Sequence, residues 1–197
     1  MNNQMNDLIT HLESEFGEIK HGWDRFPEGG KWPFQVISLE NGRYNGISTF
    51  STLGLSNYLL NSPVSSKIIQ QELFLMVPNR YGYKNIPSLL NEIGSFAIDN
   101  KKAFLRGDIV DFNSGLSMIS TNFTAFYVSM PVYFPDSFAS FTSDINKNNI
   151  VICWLIPIFE EEKNFIRNNG WGKFEEIIEN VNPDFFDLNR EILLVGD

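Results

Sequence analysis

Cysteine and histidine are almost missing from this chain, which has one Cys and two His among 197 residues. A lone thiol, Cys153, cannot close an intramolecular disulfide and so fits a reducing compartment. One Cys with two His cannot complete a Cys and His zinc cage. Both histidines are N-terminal, His11 on the predicted polar face of the first helix and His21 just before Trp23. A hydrolase triad would need further partners, so no catalytic, cofactor-binding or metal-binding residue is expected. Long apolar runs are missing too. No stretch approaches 18 uninterrupted apolar residues, and Met1 to Asp7 lacks a basic segment leading into an apolar one. Neither a membrane span nor a secretory signal is expected, and the chain reads as cytoplasmic. Clustered positive charge is scarce: the net charge is −9, and none of the 15 Lys and Arg forms a run longer than Lys101-Lys102. Direct nucleic-acid binding needs such clusters for its phosphate contacts and is therefore excluded. Gly170-Trp171-Gly172 lacks a preceding strand and phosphate-loop spacing, so it reads as a helix stop and turn.

What is present is apolar and aromatic. Hydrophobic residues make up 43% of the chain, with 18 Phe, the composition of a packed globular protein. A chain of this length can bury about 70% of its unfolded surface as one domain, here expected over 1–197. The most apolar run, Asn149 to Ile156, is β-branched, aromatic and of strand length, which predicts a central strand covered on both faces, with Cys153 and Trp154 in the core. Pro157 removes a backbone donor, so the ladder is expected to stop there. Glu160, Glu161 and Glu162 then stand in the first turn of a predicted helix running to about Asn168 and stopping at Gly170.

Elsewhere, Leu8, Ile9, Leu12 and Phe16 recur at helical spacing before Gly17. Gly22 to Pro33 reads as a loop folded onto the core by Trp23, Phe26 and Trp32. Phe34 to Leu39 and Tyr44 to Phe50 flank Asn41-Gly42 as a hairpin. Thr49 to Ser56 predicts a strand end turning at Gly54. Glu72 to Val77 is a buried-type strand closed by Pro78. Leu89, Leu90, Ile93, Phe96 and Ala97 mark a helix over 88–101. Gly107-Asp108 is a turn, two or three short strands fill 109–134 with Thr124 to Met130 the clearest, and a last helix runs from Phe174 to Val181. The tail from Phe185 to Leu194 is apolar enough to dock.

The acidic surplus is uneven. From Glu160 onward ten acidic residues face four basic ones, which accounts for six of the nine net negative charges. Glu161 with Glu162, or Glu175 with Glu176, could in principle pair as acid and base, but neighbours on a helix point about 100° apart and do not converge on one substrate atom. They read instead as solvated or partner-facing charges. Asn122-Phe123-Thr124 matches a glycosylation sequon, which without export has no consequence.

Four landmarks in order resemble a known family. Thr52-Leu53-Gly54-Leu55-Ser56 follows a short extended run, and Glu72-Leu73 opens an apolar strand that closes at Pro78. Ile86-Pro87-Ser88-Leu89-Leu90 opens a helix, and Trp154-Leu155-Ile156-Pro157 is followed by Glu161 and Glu162. Together they resemble the suppressor of fused (SUFU)-like domain family over about residues 30–180. The resemblance implies an α+β fold, a mixed, mostly antiparallel central sheet with helices packed on it, without catalytic activity. It also implies a protein partner. Small bacterial single-domain members look like immunity proteins (antitoxins) of polymorphic toxin systems, including toxins with an LXG-type delivery domain and a nuclease end. On that reading Glu160, Glu161, Glu162, Glu175, Glu176, Glu179, Asp184 and Asp187 are the candidate partner-binding residues, facing a basic toxin surface. The alternatives are a regulatory scaffold sequestering another cytoplasmic protein, and an enzyme with a scattered site drawing on His21 and Asp24.

Overall fold

The structure, a computed structural model, describes residues 3–82, 85–111, 122–142 and 149–193. Helix α1 (Asn3–Phe16) leads through Gly17 into strand β1 (Gly17–Arg25), which pairs with β2 (Lys31–Asn41). Gly17 has φ +83, and a Cβ there would lie 2.1 Å from the Glu40 carbonyl, so only glycine allows this close turn from helix to strand. β1 and the start of β2 take up the two ends of the loop expected over 22–33, leaving 26–30 as the turn between them. The alternation of β1 is broken by bulges between Ile19 and His21 and between Trp23 and Arg25, and pairing with β2 rather than local propensity makes it a strand.

β2 and β3 (Ile47–Leu53) form the expected antiparallel hairpin, and Gly54, at φ +103, turns the chain into a short 3₁₀ segment, Leu55–Asn57. After the two-residue β4 (Leu60–Asn61) comes β5 (Ile68–Pro78), and α2 (Ile86–Asn100) follows. β6 (Ile109–Asp111) and β7 (Phe123–Ser129) occupy the ends of the span where short strands were expected, the middle of which, 112–121, lies outside the described residues. A three-residue β8 (Ser140–Thr142), which carried no sequence signal, precedes β9 (Asn149–Phe159). α3 (Glu160–Asn169) and α4 (Trp171–Val181) follow, α4 starting three residues before its expected first turn because Gly170 alone separates the two helices.

The main sheet runs β1-β2-β3-β5-β9-β7-β6, with β4 beside β5 and β8 beside β9. Every described pairing between strands is antiparallel except β5 with β9. Both faces are covered, as the apolar run in β9 demands. Leu73, Leu75, Val77, Cys153 and Leu155 pack toward α2, through Leu89, Leu90 and Ile93. Phe74, Met76, Ile152, Trp154 and Ile156 point the other way, toward Leu8, Leu12 and Phe16 of α1, Ile166 of α3 and Phe174 of α4. α2 approaches so closely that a Cβ on Gly94 would lie 2.3 Å from the Phe34 ring.

β9 does not end at Pro157. It continues to Phe159, with Phe126 opposite Pro157 and Ala125 opposite Ile158 on β7. In an extended strand the N–H and C=O of one residue leave the same edge. The Pro157 carbonyl accepts from Arg190 Nη2 at 3.0 Å rather than from β7, so its missing donor falls on the edge that β7 does not use. On that edge β5 and β9 part after Phe74 and Trp154, the last residues of their parallel ladder.

Candidate partner-binding surface

The acidic residues of the C-terminal third divide into two sets. Glu162 is fully buried and its carboxylate is held on both oxygens by Arg190, Nη1 to Oε1 at 2.6 Å and Nη2 to Oε2 at 2.7 Å. It also accepts the backbone N–H of Phe159 and that of Leu193, each at 3.0 Å. The first of these closes the start of α3, where the preceding Phe159 has no side-chain oxygen to offer. Glu175 is similarly committed: it accepts from Arg106 Nε at 2.8 Å, from Arg106 Nη2 at 2.5 Å and from the Tyr127 hydroxyl at 2.6 Å. Burial, reinforced by the Glu175 carboxylate, pushes the Tyr127 phenol far above its ordinary range. Glu162 and Glu175 thus hold α3, α4 and the tail to the sheet, and their carboxylates do not face a partner.

Outward lie Glu160, Glu161, Glu176, Glu179 and Asp184, with Asp187 half-exposed. Glu160 bridges Lys163 at 2.6 Å, and Lys163 and Arg167 both reach Asp111 of β6. The Lys163 partnership holds the Glu160 carboxyl below the usual range. Glu176 and Glu179, three residues apart, share one face of α4. Asp184 and Asp187 accept the backbone N–H groups of Phe186 and Asn189, so each organises a turn of the tail.

That tail docks as expected, with Phe185, Leu188 and Leu193 buried, and it forms a wall of two grooves. One, of about 640 Å³, is lined by Arg43, Tyr44, Arg80, Asp184, Phe186 and Asp187 among others. The second, of about 620 Å³, lies between Glu160 and Glu161 on one side and Arg190, Glu191 and Ile192 on the other.

A third acidic residue, left at the start of a strand by sequence reasoning, proves central. Glu72 is fully buried with no cation beside it among the described residues. One oxygen accepts from the N–H of Gly54 at 2.9 Å, the N–H of Ser56 at 3.1 Å and the Ser56 hydroxyl at 2.7 Å; the other accepts from the Thr52 hydroxyl at 2.5 Å. Burial pushes its pKa up and these donors pull it back. Two of the sequence landmarks, Thr52 to Ser56 and Glu72, are thus one hydrogen-bonded unit.

The histidines stay apart. His11 is not on a solvated face: it stacks on Phe138 at 4.9 Å, with Nε2 3.1 Å from the Phe138 carbonyl oxygen. His21 is exposed on β1 beside Trp23. Among the described residues, no three His, Cys, Asp or Glu side chains gather so as to hold a metal ion, and no helix is long and apolar enough to cross a membrane. Cys153 is buried, which pushes its thiol up to about 12.

A mixed, mostly antiparallel sheet with helices on both faces places the chain among α+β proteins. The particular family follows from comparison with known proteins: the model of the suppressor of fused protein (SUFU) family matches residues 30–191, and the chain belongs to that family. It is similar to a SUFU homolog from Neisseria gonorrhoeae FA 1090, with a TM-score of 0.75 and 18% identity over 99% of both chains. It is also similar to a protein of the Sufu-Fu complex, with a TM-score of 0.66 and 13% identity over 92% of this chain and 85% of that one. The immunity protein YqcF of Bacillus subtilis (strain 168) is 25% identical over 160 residues, which is 79% of each protein.

Proposed function

We propose that this chain is a cytoplasmic immunity protein that binds and neutralises a cognate polymorphic toxin, acting by occupation and not by catalysis. The observation that carries this reading is the similarity to YqcF along most of both chains. The toxin is a nuclease delivered by an LXG-type domain, and its basic nucleic-acid cleft is the surface that an acidic protein captures. Of the candidate contacts, we assign Glu160, Glu161, Glu176, Glu179, Asp184 and Asp187 to that cleft, a reading supported by their exposure, with Asp187 half-exposed. Net charge −9 with the surplus gathered in the last third gives the field that steers a basic partner onto this side. Co-expression with the toxin encoded beside it tests the proposal. Growth is expected to recover, with a complex recoverable from the cells, and persistent arrest with every neighbouring toxin would remove it.

A second reading is a regulatory scaffold that sequesters another cytoplasmic protein, favoured by the likeness to a protein crystallised in the Sufu-Fu complex. Purification of the chain from its own cells separates the two: a toxin should co-purify on the first reading and a non-toxic protein on the second.

A further inference from the structure

The two ends of β5 differ in charge. Its eleven residues span about 33 Å at about 3.3 Å per residue. Pro78, at the far end, lines the groove that holds Asp184 and Asp187, and Glu160 and Glu161 follow the last residue of the parallel β9 at the same end. Around Ile68, at the near end, acidic side chains are scarce. From Asn41 to Gln71 the chain has no Asp or Glu, and from Ile93 to Gly107 it has only Asp99. Here β4 is held between the start of β5 and the segment after α2. Asn61 pairs with Ile68 on one side and with Lys102 on the other, where the Asn61 N–H donates to the Lys101 carbonyl at 2.9 Å and the Ala103 N–H to the Asn61 carbonyl at 3.0 Å. Paired residues share a face, so Lys102, Asn61 and Ile68 form one row, and Leu59 joins it by strand alternation. Leu60, Ile69 and Ala103 turn the other way and pack with Ala97 of α2. The row is thus anchored from beneath and open above. Leu59 is 63% exposed, Ile68 54%, and Val64, in the turn between the two strands, 80%. Lys67 and Lys101, next to Ile68 and Lys102 in the chain, are exposed too.

We propose that this platform docks the protein on an anionic lipid surface, with Leu59, Val64 and Ile68 set into the interface and Lys67, Lys101 and Lys102 on the headgroups. Exposed aliphatic side chains ringed by lysines supply what interfacial binding needs, apolar area to bury and cations to pair with lipid phosphates. The tip of the platform is a hairpin turn, and the grooves beside Asp184, Arg190 and Ile109 leave it out. It therefore offers a surface around which a bilayer moulds rather than a cleft for a peptide. Its lysines oppose the face-to-face pairing of two platforms, which sets aside a second copy of the chain as the occupant. The net charge of −9 does not forbid the approach. Screening at physiological ionic strength acts over about 8 Å, and the carboxylates at the Pro78 end of β5 lie about four times as far away. Docking in this orientation points Asp184, Asp187, Glu160 and Glu161 away from the lipid, so the membrane-bound protein keeps its acidic end open to a protein partner.

The proposal is independent of the immunity reading, and its test needs no toxin. The full-length chain is expected to co-sediment with vesicles of equal parts phosphatidylglycerol and phosphatidylcholine, less so as salt rises from about 0.1 to about 0.5 M, and not with phosphatidylcholine alone. Lys67→Gln with Lys102→Gln should lower the partition coefficient at least about tenfold, since one lysine near an anionic surface contributes about fivefold. Val64→Asp, and separately Leu59→Ser with Ile68→Ser, should lower it as well by removing the apolar contact. All five side chains are exposed, so melting temperatures should stay close to wild type and report that each variant is folded. Equal binding to both kinds of vesicle, binding to neither, or folded variants that bind as wild type does would overturn the proposal. So would capture of a polyglutamate peptide with the vesicles ignored, which would put an acidic protein on the platform instead.

Discussion

Among the described residues two glutamates are wholly buried, and they are stabilised in opposite ways. Glu72 lies among neutral donors from one short loop, whereas Glu162 faces a full positive charge brought from the C-terminal tail. The first is a local unit, closed between β3 and β5, and it shapes a turn. The second couples three remote pieces, β9, α3 and the tail, and lies beside a surface groove. The difference teaches that burial of a carboxylate does not by itself mark a functional position. What separates the two is whether the compensating groups come from the adjoining turn or from a chain segment distant in sequence.

The largest expected effect is at the ion pair. Arg190→Ala leaves Glu162 buried and uncompensated and should cost about 3–5 kcal/mol in chemical denaturation. The double variant Glu162→Leu with Arg190→Met should recover only part of that loss, since an apolar pair avoids both charge-desolvation penalties but leaves the N–H groups of Phe159 and Leu193 without their acceptor. Glu72→Ala comes next, at about 2–4 kcal/mol, because the N–H groups of Gly54 and Ser56 and two hydroxyls lose their acceptor. No second substitution at one residue repairs it, which would sharpen the contrast.

A smaller effect separates the two centres by pH. The folded-state pKa of Glu72 is raised, so between the ordinary carboxylate range and that higher value the native state holds more proton than the unfolded one. Its contribution to stability is fully present below the unfolded pKa and is lost as pH rises through the folded value. Glu72→Gln keeps an oxygen toward Gly54 and Ser56, and stability measured from pH 4 upward should show the variant without this component of the decline. A variant that tracks wild type across the window would refute the assignment. Smallest for stability, Glu161→Gln with Glu176→Gln and Glu179→Gln should stay within about 0.5 kcal/mol of wild type, as exposed substitutions do. Association with a basic partner should nevertheless slow and lose salt dependence in stopped-flow measurements.

Much of the fold was legible because it is written in short-range pattern. The run through Trp154 fixed a strand covered on both faces, Gly54 its turn, and the apolar spacing the helices α1 and α2. β1 and β8 escaped because pairing, not composition, makes them strands. The candidate surface was legible only as charge. Glu161, Glu176 and Glu179 are exposed as a local reading supposes, but nothing near Glu162 in the sequence announces Arg190, 28 residues away, or near Glu175 announces Arg106, 69 residues away. The hydroxyls of Thr52 and Ser56 with one charge opening an apolar strand were the available signal for Glu72.

The sequence by itself determined the family, the balance of charge and the elements whose periodicity spans one or two turns, since these depend on residues a few positions apart. Which carboxylates look outward, and which arginine neutralises the buried Glu162, only the tertiary structure decided. A buried charge is tolerated where a counter-charge or donors meet it, and that meeting is made by chain segments distant in sequence.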